Sequence, residues 1–377
     1  MSNPLLELRR LGQSVWLDSL GRNLLRSGEL ARLLRDDGVA GVTSNPAIFE
    51  KAIAETEDYD ADIARLASRN LDAAAIYDEL VVGDVREAAD LLMPVYEATR
   101  GEDGYVSLEV SPELAHDSDA TVAAVRRLWQ VVGRPNLMVK IPGTREGLPA
   151  IEACLYEGIN INVTLLFSVR RYEEVAWTYV RALERRVAEG LPVDTVASVA
   201  SFFVSRVDTL VDRLLEERIA ADPALAEQLR SLLGKAGIAN AKLAYRRFQQ
   251  VFSDRRFLAL AERGARVQRC LWASTSTKNP AYSDVMYVEG LIGPQTVNTL
   301  PQATLEAFRD HGRVSPTLAR GVDEAEAVIA RLAYLGIDIE EVAAQLEVEG
   351  VRLFVEAYRR TLTALAEKAR RLAAARP

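Results

Sequence analysis

Three observations predict an α/β protein whose strands close into a (β/α)8 TIM barrel with additional helices. Short apolar or β-branched runs recur along the chain, they alternate with amphipathic helical patterns, and there are eight of them. Alternating strand and helix favours a parallel sheet with right-handed crossovers, and eight such units suggest a closed barrel. The runs lie at 14–18 (SVWLD), 41–45 (GVTSN), 105–110 (YVSLEV), 137–141 (LMVKI), 159–167 (with INVTLLF at its centre), 195–203 (TVASVASFF), 269–274 (RCLWAS) and 295–299 (QTVNT). They are hydrophobic through both faces, as parallel strands under helices should be. An open doubly wound sheet is the alternative that this pattern leaves standing.

The helical patterns follow in order. A block at 58–101 lies between the second and third runs. Residues 168–190 open on Ser168, a good N-cap, and end at a glycine. Residues 206–218, 222–234 and 240–264 read as three helices between the sixth and seventh runs, the second opened by Asp222 with Pro223 behind it. Beyond the last run, 301–312, 322–336 and 340–374 read as helices packed outside the barrel. No linker, low-complexity segment or short repeat interrupts the pattern. One elaborated domain over 1–377 is therefore expected, with a helical insertion at about 58–101 and C-terminal helices at about 322–374.

Bulk composition narrows the function classes. The 377 residues are 49% hydrophobic and 27% charged, the proportions of a globular chain and not a disordered one. A net charge of −8 argues against nucleic acid or an acidic membrane as partner, though it leaves room for a local basic site. Only Cys154 and Cys270 are present, outside any CxxC pair, which suits two reduced core thiols. There is no apolar run of membrane-spanning length and no signal-like start in MSNPLLELRR, so a cytoplasmic location is expected. His116 and His311 are the only histidines, and they stand far apart. That disfavours a zinc site, a Ser-His-Asp triad or a histidine base. Neither a metal nor another cofactor is expected. The chemistry falls to lysine, carboxylates, amides and hydroxyls.

A barrel builds its active site from the C-terminal ends of its strands. The polar residues there are Asp18, Thr43 with Asn45, Glu109, Lys140, Asn162 with Thr164, Ser201 and Ser274. Lys140 is unusual because it sits inside the apolar LMVKIPG. A desolvated lysine loses its proton more readily, and a free amine can attack a ketone to form an imine. A lysine at a strand end can equally snorkel to solvent or pair with a carboxylate. Asn162 and Thr164 are two apart, so they share one face of a strand and could form a hydrogen-bonding shelf; Ser201 and Phe203 have the same spacing. Asp18 and Glu109 could divide acid and base work beside an amine, or serve as caps and salt-bridge partners.

Four segments carry a family resemblance. GVTSNPAIF at 41–49, LMVKIPGTREGLPAIE at 137–152, INVTLLFS at 161–168 and SFFVSRVD at 201–208 resemble transaldolase motifs, in the family's order and spacing. TSNPAIFEKAI and WASTSTKNPAYSD are most similar to the longer bacterial subgroup, which also occurs fused to glucose-6-phosphate isomerase; no isomerase domain is expected within these 377 residues. The resemblance implies transfer of a dihydroxyacetone unit from a ketose phosphate to an aldose phosphate in the non-oxidative pentose phosphate pathway. Donors would be sedoheptulose 7-phosphate or fructose 6-phosphate. Acceptors would be glyceraldehyde 3-phosphate or erythrose 4-phosphate.

Residue by residue, the resemblance implies that Lys140 forms the Schiff base and that Asp18 handles the C4 hydroxyl proton. Glu109 and Thr164 would hold a catalytic water, and Asn45, Asn162 and Ser201 would bind substrate hydroxyls. Phe203 would line the site, and Arg206 would hold phosphate. Two positions depart from the family pattern. Phe202 stands where proline is common, and WASTSTKN at 272–279 lacks a second phosphate-binding arginine, leaving Lys278 as the nearest cation. Rival activities are a class I aldolase that releases free dihydroxyacetone, and a sugar-phosphate-binding barrel without catalysis. Members of the aldolase sister group are shorter, with Gln in place of Glu109 and Tyr in place of Phe203. The sequence sets no oligomeric state.

Overall fold

The structure, a computed structural model, describes residues 3–374. Eight strands run in parallel: β1 (Gln13–Asp18), β2 (Gly41–Thr43), β3 (Tyr105–Glu109), β4 (Leu137–Pro142), β5 (Ile161–Leu166), β6 (Ser198–Phe203), β7 (Arg269–Ala273) and β8 (Thr296–Leu300). Each pairs with its sequence neighbours, and β8 pairs with β1, so the sheet is a closed barrel and not an open one. The expected strands stand within a few residues of their sequence bounds.

The period-two geometry of a strand sorts the barrel interior into layers. Trp16, Met138, Val199, Leu271 and Val297 are buried together in the barrel core. Two residues further along the same strands stand Asp18, Lys140, Ser201, Ala273 and Thr299. An apolar floor thus lies directly below a polar mouth. Gly41 is required by this floor: a Cβ there would sit 2.5 Å from the Trp16 ring. Below it, Arg269 pairs with Asp103 at 2.9 Å, and Asp103 accepts hydrogen bonds from Ser14 (2.6 Å) and the Trp16 indole (3.0 Å). Burial pushes the Asp103 carboxyl up, but the Arg269 charge and these bonds outweigh it and hold the group below its usual range.

Helices cover the outer faces of the strands and form the larger apolar core. Val169–Ala188 begins where Ser168 predicts, with the Ser168 hydroxyl accepting from the Arg171 N–H at 3.0 Å. The expected block after β2 comprises Asp60–Ala67 and Ala73–Ala98. Two expectations need correction. Residues 222–234 hold only a 3-10 turn, Pro223–Leu225, and a short helix, Ala226–Arg230; Asp222 caps that turn, and Asp212 takes the Gly234 N–H at 2.9 Å. The expected helix 240–264 divides into Ala236–Phe252 and Arg255–Ala261, because Asp254 turns extended and caps the second. Among the described residues, no helix is long and apolar enough to cross a membrane.

The last helix, Ile339–Ala374, is about 54 Å long at 1.5 Å per residue. It packs against Pro46–Phe49, Asp60–Ala67, Ala73–Ala98 and Ser205–Ala221, and touches β5. Arg360 pairs with Glu50, and Lys368 with Asp60 at 3.1 Å, which pins its far half. This helix therefore runs across the rim that carries the polar mouth.

Candidate active site

The mouth is built from adjacent strands in register. Glu109 lies beside Lys140, Lys140 beside Asn162, and Asp18 beside Thr43. Lys140 is only 5% exposed, so its stem does not carry the amine out to solvent. Its Nζ donates to the Ser44 carbonyl at 3.0 Å and stands 3.9 Å from Glu109 Oε2. The Glu109 carboxylate oxygens and Thr164 Oγ1 are buried and have no hydrogen-bond partner among the described residues. Three such buried atoms need water or substrate to satisfy them.

Electrostatics bind the group together. Burial, supported by the nearby Asp18 charge, pushes the Glu109 carboxyl up to about 7, against the opposing pull of Lys140 and Arg206. Burial also raises Asp18, while Lys140, a hydrogen bond from Thr43, Lys278 and Arg206 oppose it. Thr43 Oγ1 donates to Asp18 Oδ1 at 2.8 Å and lies 2.7 Å from Thr299 Oγ1. A hydroxyl has a single proton, so Thr299 is the donor in the second bond. The chain Thr299 to Thr43 to Asp18 thus fixes one carboxylate oxygen and leaves the other free.

The hydrogen-bonding shelf differs from the one expected. Asn162 bonds to Ser201, which donates to its Oδ1 at 2.6 Å, and to Ser107, whose Oγ accepts from its Nδ2 at 3.0 Å. Thr164 stays outside this network. The cause is flanking: β3 and β6 each bring a serine to Asn162, whereas the backbone beyond Thr164 leaves regular geometry. The β5–β6 register shifts between Val163 and Leu166, and Leu165 takes a left-handed φ of 58°. Asn45 caps Pro46–Phe49 through its Oδ1, which accepts from the Ile48 N–H at 3.0 Å, and leaves its Nδ2 without a partner among the described residues. Asn45 and Glu109 both line a side cavity of about 150 Å³ together with Tyr77 and Tyr358.

Arg206 is the second residue of helix Ser205–Ala221. Its guanidinium lies over the rings of Phe203 (5.3 Å) and Phe354 (5.9 Å) and makes no hydrogen bond or ion pair among the described residues. The adjoining Ser205 N–H is occupied by the Ser274 carbonyl at 3.0 Å, so this helix start offers fewer free N–H groups than its sequence suggests. Lys278 is exposed and bonds to Ser276 Oγ at 2.7 Å, yet its charge reaches Asp18.

The matching family model is described as transaldolase/fructose-6-phosphate aldolase and covers residues 15–365. The chain is 47% identical to a transaldolase of Trichodesmium erythraeum over 99% of both chains. It is 51% identical to a transaldolase of Thiobacillus denitrificans, over 94% of this chain and 98% of that one. With a Nostoc protein named transaldolase 2 it shares 49% identity over 98% of each. The chain belongs to the transaldolase/fructose-6-phosphate aldolase family.

Within this family frame, the residues singled out by motif divide into four places. Lys140, Glu109, Asp18 and Thr164 surround the polar mouth; Asn162 and Ser201 form a linked shelf; Phe203 and Arg206 stand at the rim with Lys278 on the loop after β7. Asn45 sits at the head of its short helix beside Glu109. Sequence reasoning missed Ser107, Ser44, Thr299 and Phe354. Ser107 and Thr299 were discoverable by period two, from Glu109 and from Val297. The Ser44 contact is through a backbone carbonyl and has no side-chain signal.

Proposed function

We propose that this chain acts as a transaldolase whose reaction runs through a Schiff base on Lys140. The observation that carries this is a buried amine 3.9 Å from a carboxyl raised to about 7, facing a rim arginine with no partner of its own among the described residues. The donor ketose phosphate, fructose 6-phosphate or sedoheptulose 7-phosphate, enters with its phosphate at Arg206 and its C2 carbonyl at Lys140. The amine adds to C2. Glu109 moves protons as water leaves, through a water held by its carboxyl and by Thr164 Oγ1, the three atoms that otherwise lack partners. The resulting protonated imine accepts the electron pair released when C3–C4 breaks. Asp18, held by Thr43, takes the C4 hydroxyl proton. An aldose phosphate departs, and the bound enamine attacks glyceraldehyde 3-phosphate or erythrose 4-phosphate.

Asn45 Nδ2, Asn162 and Ser201 lie where they can hold the sugar hydroxyls, and Phe203 flanks them. Lys278 supplies a second charge for phosphate, weaker than an arginine because it cannot grip two oxygens at once. Two buried thiols without a disulfide suit a reducing cytoplasm. We also take the chain as one elaborated domain, since the helix after the barrel shares the rim with the site. The test is an assay with fructose 6-phosphate, with and without erythrose 4-phosphate. A transaldolase turns over only with the acceptor. Fast release of free dihydroxyacetone without it would identify an aldolase, and no turnover in either arm would refute the proposal.

A further inference from the structure

The C-terminal helix places one turn against Arg206. Phe354 is buried with its ring centroid 5.9 Å from the Arg206 guanidinium, which also lies 5.3 Å from the Phe203 ring. Gly350, four residues earlier and so on the same face, lies so close that a Cβ would stand 2.9 Å from Leu165 Cδ2 and 3.7 Å from Arg206 Nη1. The far half of the helix is tied to the barrel by the Arg360–Glu50 and Lys368–Asp60 pairs.

We infer that Phe354 is a positioning residue for substrate phosphate, acting through Arg206. An arginine has five N–H donors and a flexible stem. Left alone at a rim, it samples many rotamers and loses entropy each time it grips an anion. Two aromatic rings beside the guanidinium narrow the rotamers open to it. Because neither ring is an ordinary hydrogen-bond acceptor, its N–H groups stay available to an anion.

This inference rests on Arg206 being the phosphate ligand, and the test separates the two. The ratio of kcat/KM for fructose 6-phosphate to that for unphosphorylated fructose is measured in the full chain with erythrose 4-phosphate as acceptor. Phe354→Ala should lower the ratio about tenfold, through KM and not kcat. Phe354→Tyr should restore it to within about twofold. Should Phe354→Ala prove unstable, Phe354→Leu keeps the packing volume but lacks the ring face and should still lower the ratio. Equal losses on both donors would overturn the inference. If Arg206→Ala leaves the ratio unchanged, the phosphate assignment fails and takes this inference with it. If Arg206→Ala collapses the ratio while the Phe354 variants do not move it, the inference alone fails.

Discussion

Glu109→Gln tests the electrostatics of the site without changing its shape. When protonated, Lys140 at 3.9 Å attracts the Glu109 carboxylate by about 4 kcal/mol at an effective dielectric near 20. The carboxyl is nevertheless raised to about 7, so burial and the Asp18 charge together outweigh that attraction. A rise of about 2.5 pKa units from the ordinary 4.5 corresponds to about 3 kcal/mol. The sign follows from linkage. A carboxyl raised in the folded state favours folding below pH 4.5, and that contribution is lost as pH climbs through 7. The glutamine variant cannot lose it. Its melting temperature relative to the parent should therefore rise by about 4 °C between pH 4.5 and pH 8, taking an unfolding entropy of about 2.1 cal/mol/K per residue. Scanning calorimetry across that range is the assay. The parent's kcat/KM should show an inflection near pH 7 that the variant lacks, with the variant slower by about 10²- to 10⁴-fold. A stability difference that stays flat or shrinks with rising pH would refute the argument.

Other consequences are equally open to measurement. Arg206→Ala should weaken use of phosphorylated donors by about 2–3 kcal/mol in kcat/KM, because charge-assisted hydrogen bonds are lost; Lys278→Ala should do so only several-fold, and equal losses with unphosphorylated fructose would contradict both assignments. Turnover should survive prolonged EDTA, since the described residues bring no group of three His, Cys, Asp or Glu together; activity restored only by a divalent ion would contradict the lysine mechanism. Arg269→Leu should cost about 3–5 kcal/mol in urea unfolding at pH 7 by stranding Asp103 under the barrel floor. That penalty should shrink as Asp103 protonates in acid, and a penalty independent of pH would show that the pair is not its source.

Local pattern carried most of the fold. Most strands announce themselves by apolar residues at consecutive positions, because both of their faces are buried, though β8 (TVNTL) does not; Ser168 marks a helix start through the hydrogen bond it later makes. Lys140 was legible for the same reason: a charge inside an apolar run is conspicuous. What stayed hidden depends on distance along the chain. Phe354 meets Arg206 only because the helix Ile339–Ala374 folds back over the rim, and nothing near residue 354 announces that contact. Gly41 reads as a strand residue, yet its lack of a side chain is dictated by Trp16 on the neighbouring strand. The division of 240–264 into two helices was available in Asp254, a strong N-cap lying inside an otherwise continuous pattern.

The covalent link to Lys140 is the centre of the account, and trapping it is the most direct measurement. The protein is incubated with fructose 6-phosphate, reduced with borohydride, digested and analysed by mass spectrometry. The account predicts loss of activity together with a reduced dihydroxyacetone adduct on the peptide that contains Lys140, and none in Lys140→Ala, which should be inactive. An adduct on another lysine, or normal turnover by Lys140→Ala, would contradict it.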